Sequence, residues 1–328
     1  MSHTSKDPDL LWSGERFLPE LGGQIRYEHL HRYAFCRAYV QGRKVLDIAC
    51  GEGYGSALLA QVATEVVGVD IAAEAVQHAQ NQYQGPFPNL TFRQGSATDI
   101  PCSDESFDVV VSFETIEHLA EQEQMLKEIR RVLRRDGILI ISTPDRPIYH
   151  RAYGADNPFH VKELDKGAFA DLLKGHFPFV ELYGQRFVTG GWIQPVAAGA
   201  VQAAALEVIA WQPSVGLVAG VPVFPEPIYW VAVCSPQALA PAPFSLFADP
   251  QDDLYEAERA VLRWAQGVDE ERAREQTRAQ RFAGEAARWE NEARDTRVVL
   301  SERIADLERL REELASVLRW AQRVDEER

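Results

Sequence analysis

The sequence predicts an α/β fold: a mostly parallel sheet with helices on both faces and a ligand pocket at the strands' carboxyl edge, followed by a long coiled-coil helix. Three observations carry this. Apolar strand-like runs alternate with helical stretches over the first 190 residues, a rhythm that implies parallel strands covered on both sides. The stretch Val45-Leu-Asp-Ile-Ala-Cys-Gly-Glu-Gly-Tyr-Gly-Ser56 ends an apolar run in an acid and turns on three glycines into a helix. From about Leu254 onward proline disappears, and Arg and Glu dominate.

Taken in order, residues 1–40 form an N-terminal cap segment, with a helix suggested over Tyr27–Tyr33. Residues 41–240 form the main domain. Strands are expected at Lys44–Ala49, Glu65–Asp70, Leu90–Gln94, Phe107–Phe113, Gly137–Thr143, Phe179–Phe187 and Ile228–Ser235. Helices are expected at Tyr54–Val62, Ala72–Gln82, Glu121–Arg134 and Asp165–Lys174, with the last two strands as an antiparallel edge pair. An apolar insertion spans 190–227, but Glu207, Gln212, Pro213 and Pro222 interrupt it, so no clean span of about 20 apolar residues exists. An inserted helix and loop covering the site, or a surface touching a membrane or lipid-linked substrate, are the two readings. A linker at 241–253 leads to residues 254–328.

In that last segment, one heptad row is Leu254, Val261, Val268, Glu275, Phe282, Trp289, Thr296, Arg303, Leu310, Val317 and Val324. Its companion is Ala265, Arg272, Ala279, Ala286, Ala293, Leu300, Leu307, Leu314 and Ala321, so the pattern favours a coiled coil and a homo-oligomer built through it. The sequence of Val261–Arg272 returns, one residue changed, as Val317–Arg328; the offset of 56 residues is eight whole heptads, which keeps the seam in phase.

Composition sets limits on function. The net charge of −15 opposes a phosphate backbone, so nucleic acid is not expected as a partner. Cys36, Cys50, Cys102 and Cys234 show no paired or metal-like spacing, and residues 1–8 carry no apolar signal core. A cytoplasmic location is expected, with a peripheral position at the inner face of the membrane as an extension of the insertion reading.

Gly51, Gly53 and Gly55 lack a Cβ, which allows a tight turn and close backbone approach to a ligand, and the following helix aims its N-terminal amides at the same place. No Lys-Ser/Thr follows to suggest a triphosphate loop. Val67-Gly-Val-Asp-Ile71 then ends a second apolar run in Asp70, where a ribose diol would be held. The pattern Asp47-x-x-x-Gly-x-Gly-x-Gly resembles the S-adenosylmethionine (SAM) loop of class I methyltransferases, more closely than a dinucleotide fold or a structural turn. The resemblance implies the seven-stranded, Rossmann-like class I sheet and SAM as cofactor. It places Asp47, Ala49, Gly51, Gly53, Tyr54, Asp70 and Ile71 around SAM. Gly95-Ser-Ala-Thr-Asp-Ile-Pro101 resembles the family's adenine-binding stretch; Ser96 stands where an acid is usual, Ala97 offers its amide, and Thr98 follows. Phe113 ends the fourth strand beside the sulfonium. Arg32 is a candidate clamp for the methionine carboxylate, with a surface ion pair as the rival role.

Phe113-Glu-Thr-Ile-Glu-His-Leu119 is the second chemical signal. Glu114 and Glu117 lie three apart and His118 adjoins them; they either enter a pocket or favour the dipole of the next helix. His160, after the fifth strand, borders the same crevice and tilts the reading toward a site. Glu-x-x-Glu-His with a later His resembles the divalent-metal site of small-RNA ribose methyltransferases and of ubiquinone-pathway O-methyltransferases. That resemblance makes Glu114, Glu117, His118 and His160 the catalytic and metal-binding set, with Mg²⁺ or Mn²⁺ favoured by its oxygen-rich, thiol-free donors.

The N-terminal piece Trp12–Glu20 with Tyr27–Tyr33 looks like bacterial polysaccharide-cluster O-methyltransferases. It implies methyl transfer to a hydroxyl of a glycan or lipid-linked glycan, with a glycosyltransferase as a possible neighbour. O-methylation of a catechol or quinone precursor, and a coiled-coil assembly scaffold that binds SAM, are the alternatives.

Overall fold

The computed structural model describes residues 23–154, 157–188, 209–212, 216–219, 226–242, 245–247 and 253–326. The chain forms two compact units, Met1–Leu254 and Tyr255–Arg328. In the first, α1 (Gln24–Val40) precedes β1 (Lys44–Ile48), α2 (Tyr54–Ala60), β2 (Glu65–Asp70), α3 (Ala73–Ala79) and β3 (Leu90–Gln94). Then come β4 (Phe107–Ser112), a 3₁₀ turn (Ile116–His118), α4 (Gln122–Val132), β5 (Leu133–Pro144), α5 (Arg146–Tyr153), α6 (Lys166–Lys174) and β6 (Phe179–Gln185). A hairpin of β7 (Ile209–Gln212) and β8 (Gly216–Ala219) leads to β9 (Tyr229–Ser235).

The main sheet has the order β3-β2-β1-β4-β5-β9-β6, with only β9 antiparallel to its neighbours. Chain direction across the sheet reverses between β1 and β4, which opens a crevice beyond their carboxyl ends. Residues alternate between the two faces. Val45 packs on one cluster with α1 and α2, while Leu46 and Ile48 pack on the other with Met125, Ile129 and Phe169. Buried side chains of this kind each contribute about 1.5–3 kcal/mol relative to exposure.

The structure departs from the sequence reading at several element boundaries and in two elements. Helix α4 ends at Val132, not Arg134, because β5 begins at Leu133 and pairs it with Phe107 before the register shifts. Within the insertion the described residues form the β7–β8 hairpin, not a helix. Helix α5 was not expected; Asp145 caps it by accepting from the Ile148 amide at 3.2 Å, and a proline sits in its first turn. Strand β6 stops at Gln185, two residues short of Phe187. The Trp12–Glu20 stretch and most of the insertion lie outside the described residues.

Helix α7 (Asp253–Glu326), which forms the second unit from Tyr255 onward, is a single continuous helix of 74 residues. Its large apolar side chains are exposed: Phe282 is 56% accessible, Trp289 71% and Leu307 66%.

Candidate active site

Beyond the carboxyl ends of β1, β2, β3 and β4 lies a cavity of about 400 Å³. Of the expected cofactor residues, Ala49, Gly51, Tyr54, Asp70, Ile71, Ser96, Ala97 and Phe113 line it. The glycine loop is shaped by left-handed backbone at Ala49 (φ 57°), Gly51 (φ 57°) and Gly53 (φ 93°), the last being the cap residue of α2. Asp70 holds this loop: Oδ2 accepts from the Gly51 amide at 2.8 Å and Oδ1 from the Ala72 amide at 3.0 Å. Each carboxylate oxygen accepts more than one bond, so the same oxygens remain suited to a ribose diol.

Four expected cofactor residues are not among those lining this cavity. Asp47 falls on the α2 face because β1 alternates; it is fully buried, accepting from Ser56 Oγ at 2.7 Å and from the Tyr33 hydroxyl at 3.4 Å. Burial pushes its carboxyl up to about 7, against the pull of those hydrogen bonds. Gly53 sits under the loop, where a Cβ would meet Ala79 and Phe92 at 2.7 Å. Gly55 likewise makes room for the Tyr33 ring, which a Cβ would meet at 1.9 Å, so packing, and not ligand approach, requires that glycine. Thr98 is tied to Ser96 by a 2.8 Å hydroxyl contact and a 3.1 Å amide bond. Arg32 is buried behind the cavity wall: its Nε donates to Gln185 Oε1 at 2.7 Å and its guanidinium lies 4.5 Å over the ring of Tyr229, which lines the cavity. Its ion pair is therefore an interior one, with Glu114 at 3.6 Å.

At the far end of the same cavity stand Glu114, Glu117, His118 and His160. The 157–164 loop is tied to the 3₁₀ turn: the amides of Val161 and Lys162 both donate to the Glu117 carbonyl at 2.9 Å, and Gln122 Nε2 donates to the Lys162 carbonyl at 2.7 Å. Those bonds bring His160 beside Glu117 and His118, and one ligand atom from each of the three lies within 4.8 Å of the others. Glu114 does not join them. Its left-handed backbone (φ 48°) turns the side chain to Ser142 Oγ, which donates to it at 2.6 Å, and to Arg32. Neither acid caps α4, since the 3₁₀ turn intervenes and Glu121 holds the cap position.

Each member of the trio is held in place by hydrogen bonds. The His118 Nδ1 donates to the Phe159 carbonyl at 2.9 Å, which makes Nε2 the lone-pair nitrogen of the neutral ring. His160 donates from Nδ1 to Glu163 Oε1 at 2.5 Å, and Glu163 Oε2 also meets His150 Nε2 at 2.6 Å. Asn157 Nδ2 donates to His160 Nε2 at 3.0 Å, and its orientation is set by Oδ1 accepting from the Phe159 amide. Glu117 is wholly buried; Oε2 accepts from Thr143 Oγ1 at 3.2 Å, whereas Oε1 has no hydrogen-bond partner. Burial, reinforced by the Glu114 charge, raises its carboxyl well above the usual range. Burial therefore favours the protonated acid, and a cation beside Oε1 would offset the cost of the ionised form in the proton's place. With ligand atoms of His118 and His160 within 4.8 Å, the donor set fits a divalent ion that would take the place of the Asn157 amide on His160 Nε2.

Reading the sequence missed Asn157, Glu163, Thr143, Tyr149 and Tyr229. The spacing His160-x-x-Glu163 was the available signal for the carboxylate that orients the imidazole.

Comparison with known proteins agrees with this architecture. A family described as a methyltransferase domain matches residues 46–141. A "Probable S-adenosylmethionine-dependent methyltransferase" of Mycolicibacterium smegmatis is 38% identical over 179 residues, covering 51% of this chain and 67% of that protein. A protein of the same description from Mycobacterium tuberculosis is 37% identical over 175 residues, 52% of this chain and 62% of its own length. A ubiquinone biosynthesis O-methyltransferase of Azorhizobium caulinodans is 34% identical over 109 residues, 33% of this chain and 43% of that one. Among solved structures, an SAM-dependent methyltransferase of Thermotoga maritima is 17% identical with a TM-score of 0.44, covering 65% of this chain and 91% of that one. The chain belongs to the SAM-dependent methyltransferases. Among the described residues, no helix is long and apolar enough to cross a membrane.

Proposed function

We propose that this methyltransferase transfers its methyl group to a hydroxyl, one of a vicinal pair on a sugar of a bacterial surface glycan or its lipid-linked precursor, with help from a divalent ion. The observation that carries the reading is the Glu117–His118–His160 trio, with its unpartnered Glu117 oxygen, in the same cavity as the glycine loop. SAM supplies the activated methyl group when bound. Mg²⁺ or Mn²⁺ would supply positive charge that lowers the pKa of a hydroxyl at neutral pH.

The chain's own residues set the geometry. Asp70 and the Gly51 loop hold one end of the cavity, and Glu117, His118 and His160 hold the other, so donor and acceptor meet between them and alignment lowers the barrier. Phe113 lies between the two ends in sequence and lines the same space. Tyr149 and Tyr229 add aromatic walls on which a ring would rest. The acidic net charge supports an acceptor other than nucleic acid.

A second acceptor class, a catechol or quinone precursor, is favoured by the similarity to ubiquinone biosynthesis O-methyltransferases over 109 residues. Labelled SAM offered with Mn²⁺ to panels of glycans and catechols separates the two. Label in glycans that is lost with a chelator is the expected result. Label in catechols alone would overturn the glycan assignment, and indifference to the chelator would remove the metal.

A further inference from the structure

The exposed apolar rows of α7 specify both a partner and its direction. We propose that α7 pairs with α7 of a second copy of this chain as an antiparallel coiled coil centred on Gly284. In a parallel pair in register, every core residue meets its own copy. That arrangement sets like charges face to face in the interior at Arg272, Glu275 and Arg303. It also places Trp289 against the partner's Trp289 between layers in which Ala286 and Ala293 meet only alanine.

Reversing one chain sets each row against the other up to Leu314, with Leu310 opposite a glutamate, the partner's Glu258, and residues 316–326 extending past the partner's helix. Centred on Gly284, Phe282 then meets the partner's Ala286 and Trp289 meets the partner's Ala279, so large fills small. Val268 and Val261 meet the partner's Leu300 and the partner's Leu307. Glu275, Arg272 and Arg303 face the partner's Ala293, the partner's Thr296 and the partner's Ala265, small residues past which a long side chain reaches water.

Beside the core, Arg278 lies against the partner's Glu292 and Asp269 against the partner's Arg297. Glu285 meets its own copy at the centre, one exposed like-charge contact. A parallel pair also has favourable flanks, such as Glu292 with the partner's Arg297, so the exposed pairs do not choose between the two. The core layers choose, because like charges repel most where water is excluded. Sliding the antiparallel pair by one heptad sets Arg303 against the partner's Arg272 in one direction, and Glu271 against the partner's Glu292 in the other.

The test uses the full chain with Cys102 replaced by serine and a spin label at Glu270→Cys. Residue 270 sits opposite the partner's 298, so two labels lie about 42 Å apart along the axis at about 1.5 Å per residue. A dipolar distance near 42 Å in a sedimenting dimer is the expected result. A distance under about 25 Å, or a monomer at tens of micromolar, would overturn the proposal. Charge exchange gives an independent check: Arg278→Glu weakens the dimer and Glu292→Arg in the same chain restores it. Absence of rescue contradicts this register, since in the parallel pair those two residues never meet.

Discussion

The two ends of the active cavity are built differently. At the glycine-loop end the backbone does the work: Ala49, Gly51 and Gly53 hold left-handed angles, and Asp70 fixes the loop through two amides. At the acid–histidine end the work falls to side chains, each oriented by another: Phe159 behind His118, Glu163 behind His160 and Thr143 behind Glu117. At the first end Asp70 already accepts from two amides. The second leaves a buried oxygen of Glu117 without a hydrogen-bond partner, next to two imidazoles, a setting that suits a cation.

The largest expected effect lies at the backbone end. Asp70→Ala removes the acceptor of two amides and the proposed acceptor of the ribose; with charged hydrogen bonds worth about 1.5–3 kcal/mol each, SAM affinity falls about 10- to 100-fold or more, read by titration of SAM. The matching break at the other end is Glu163→Gln. It frees His160 to turn and lowers Mn²⁺ affinity about 10- to 100-fold with SAM affinity unchanged. Loss of both affinities together would show that the ends are not separate.

Smaller effects sharpen the assignment of individual residues. Gly55→Ala drives a Cβ into the Tyr33 ring and lowers stability by about 1–3 kcal/mol, measured by denaturant unfolding. Asp47 has its folded pKa raised to about 7 from an ordinary 3.8, so the fold loses stability as pH rises between those values, by up to about 1.4 kcal/mol per pH unit. Asp47→Asn flattens that slope. Smallest is Glu114→Gln, which leaves Mn²⁺ affinity within about threefold because Glu114 faces Ser142 and Arg32.

The same contrast explains what the sequence disclosed. Strand positions and the glycine turn were readable because apolar runs and breakers state backbone preferences locally. Asp47 misled because a motif position does not say which face of β1 a side chain takes, and period two sends it away from the cavity. Glu114 misled for a related reason: a left-handed φ at the strand end turns it from its neighbour Glu117. Glu163 and Asn157 act only once the 157–164 loop docks on the Glu117 carbonyl, a contact between residues some 40 apart that no local pattern encodes. Helix α5 was within reach, since Asp145-Arg-Pro147 is a helix start in its own right.

The central claim is that Glu117, His118 and His160 bind a divalent ion beside the SAM pocket. Calorimetric titration of Mn²⁺ into the wild-type chain and into Glu117→Ala tests it most directly, with SAM binding by both as the check on folding. A single site in the wild type and none in the variant is the expected result; equal binding by the two would contradict a metal site at Glu117.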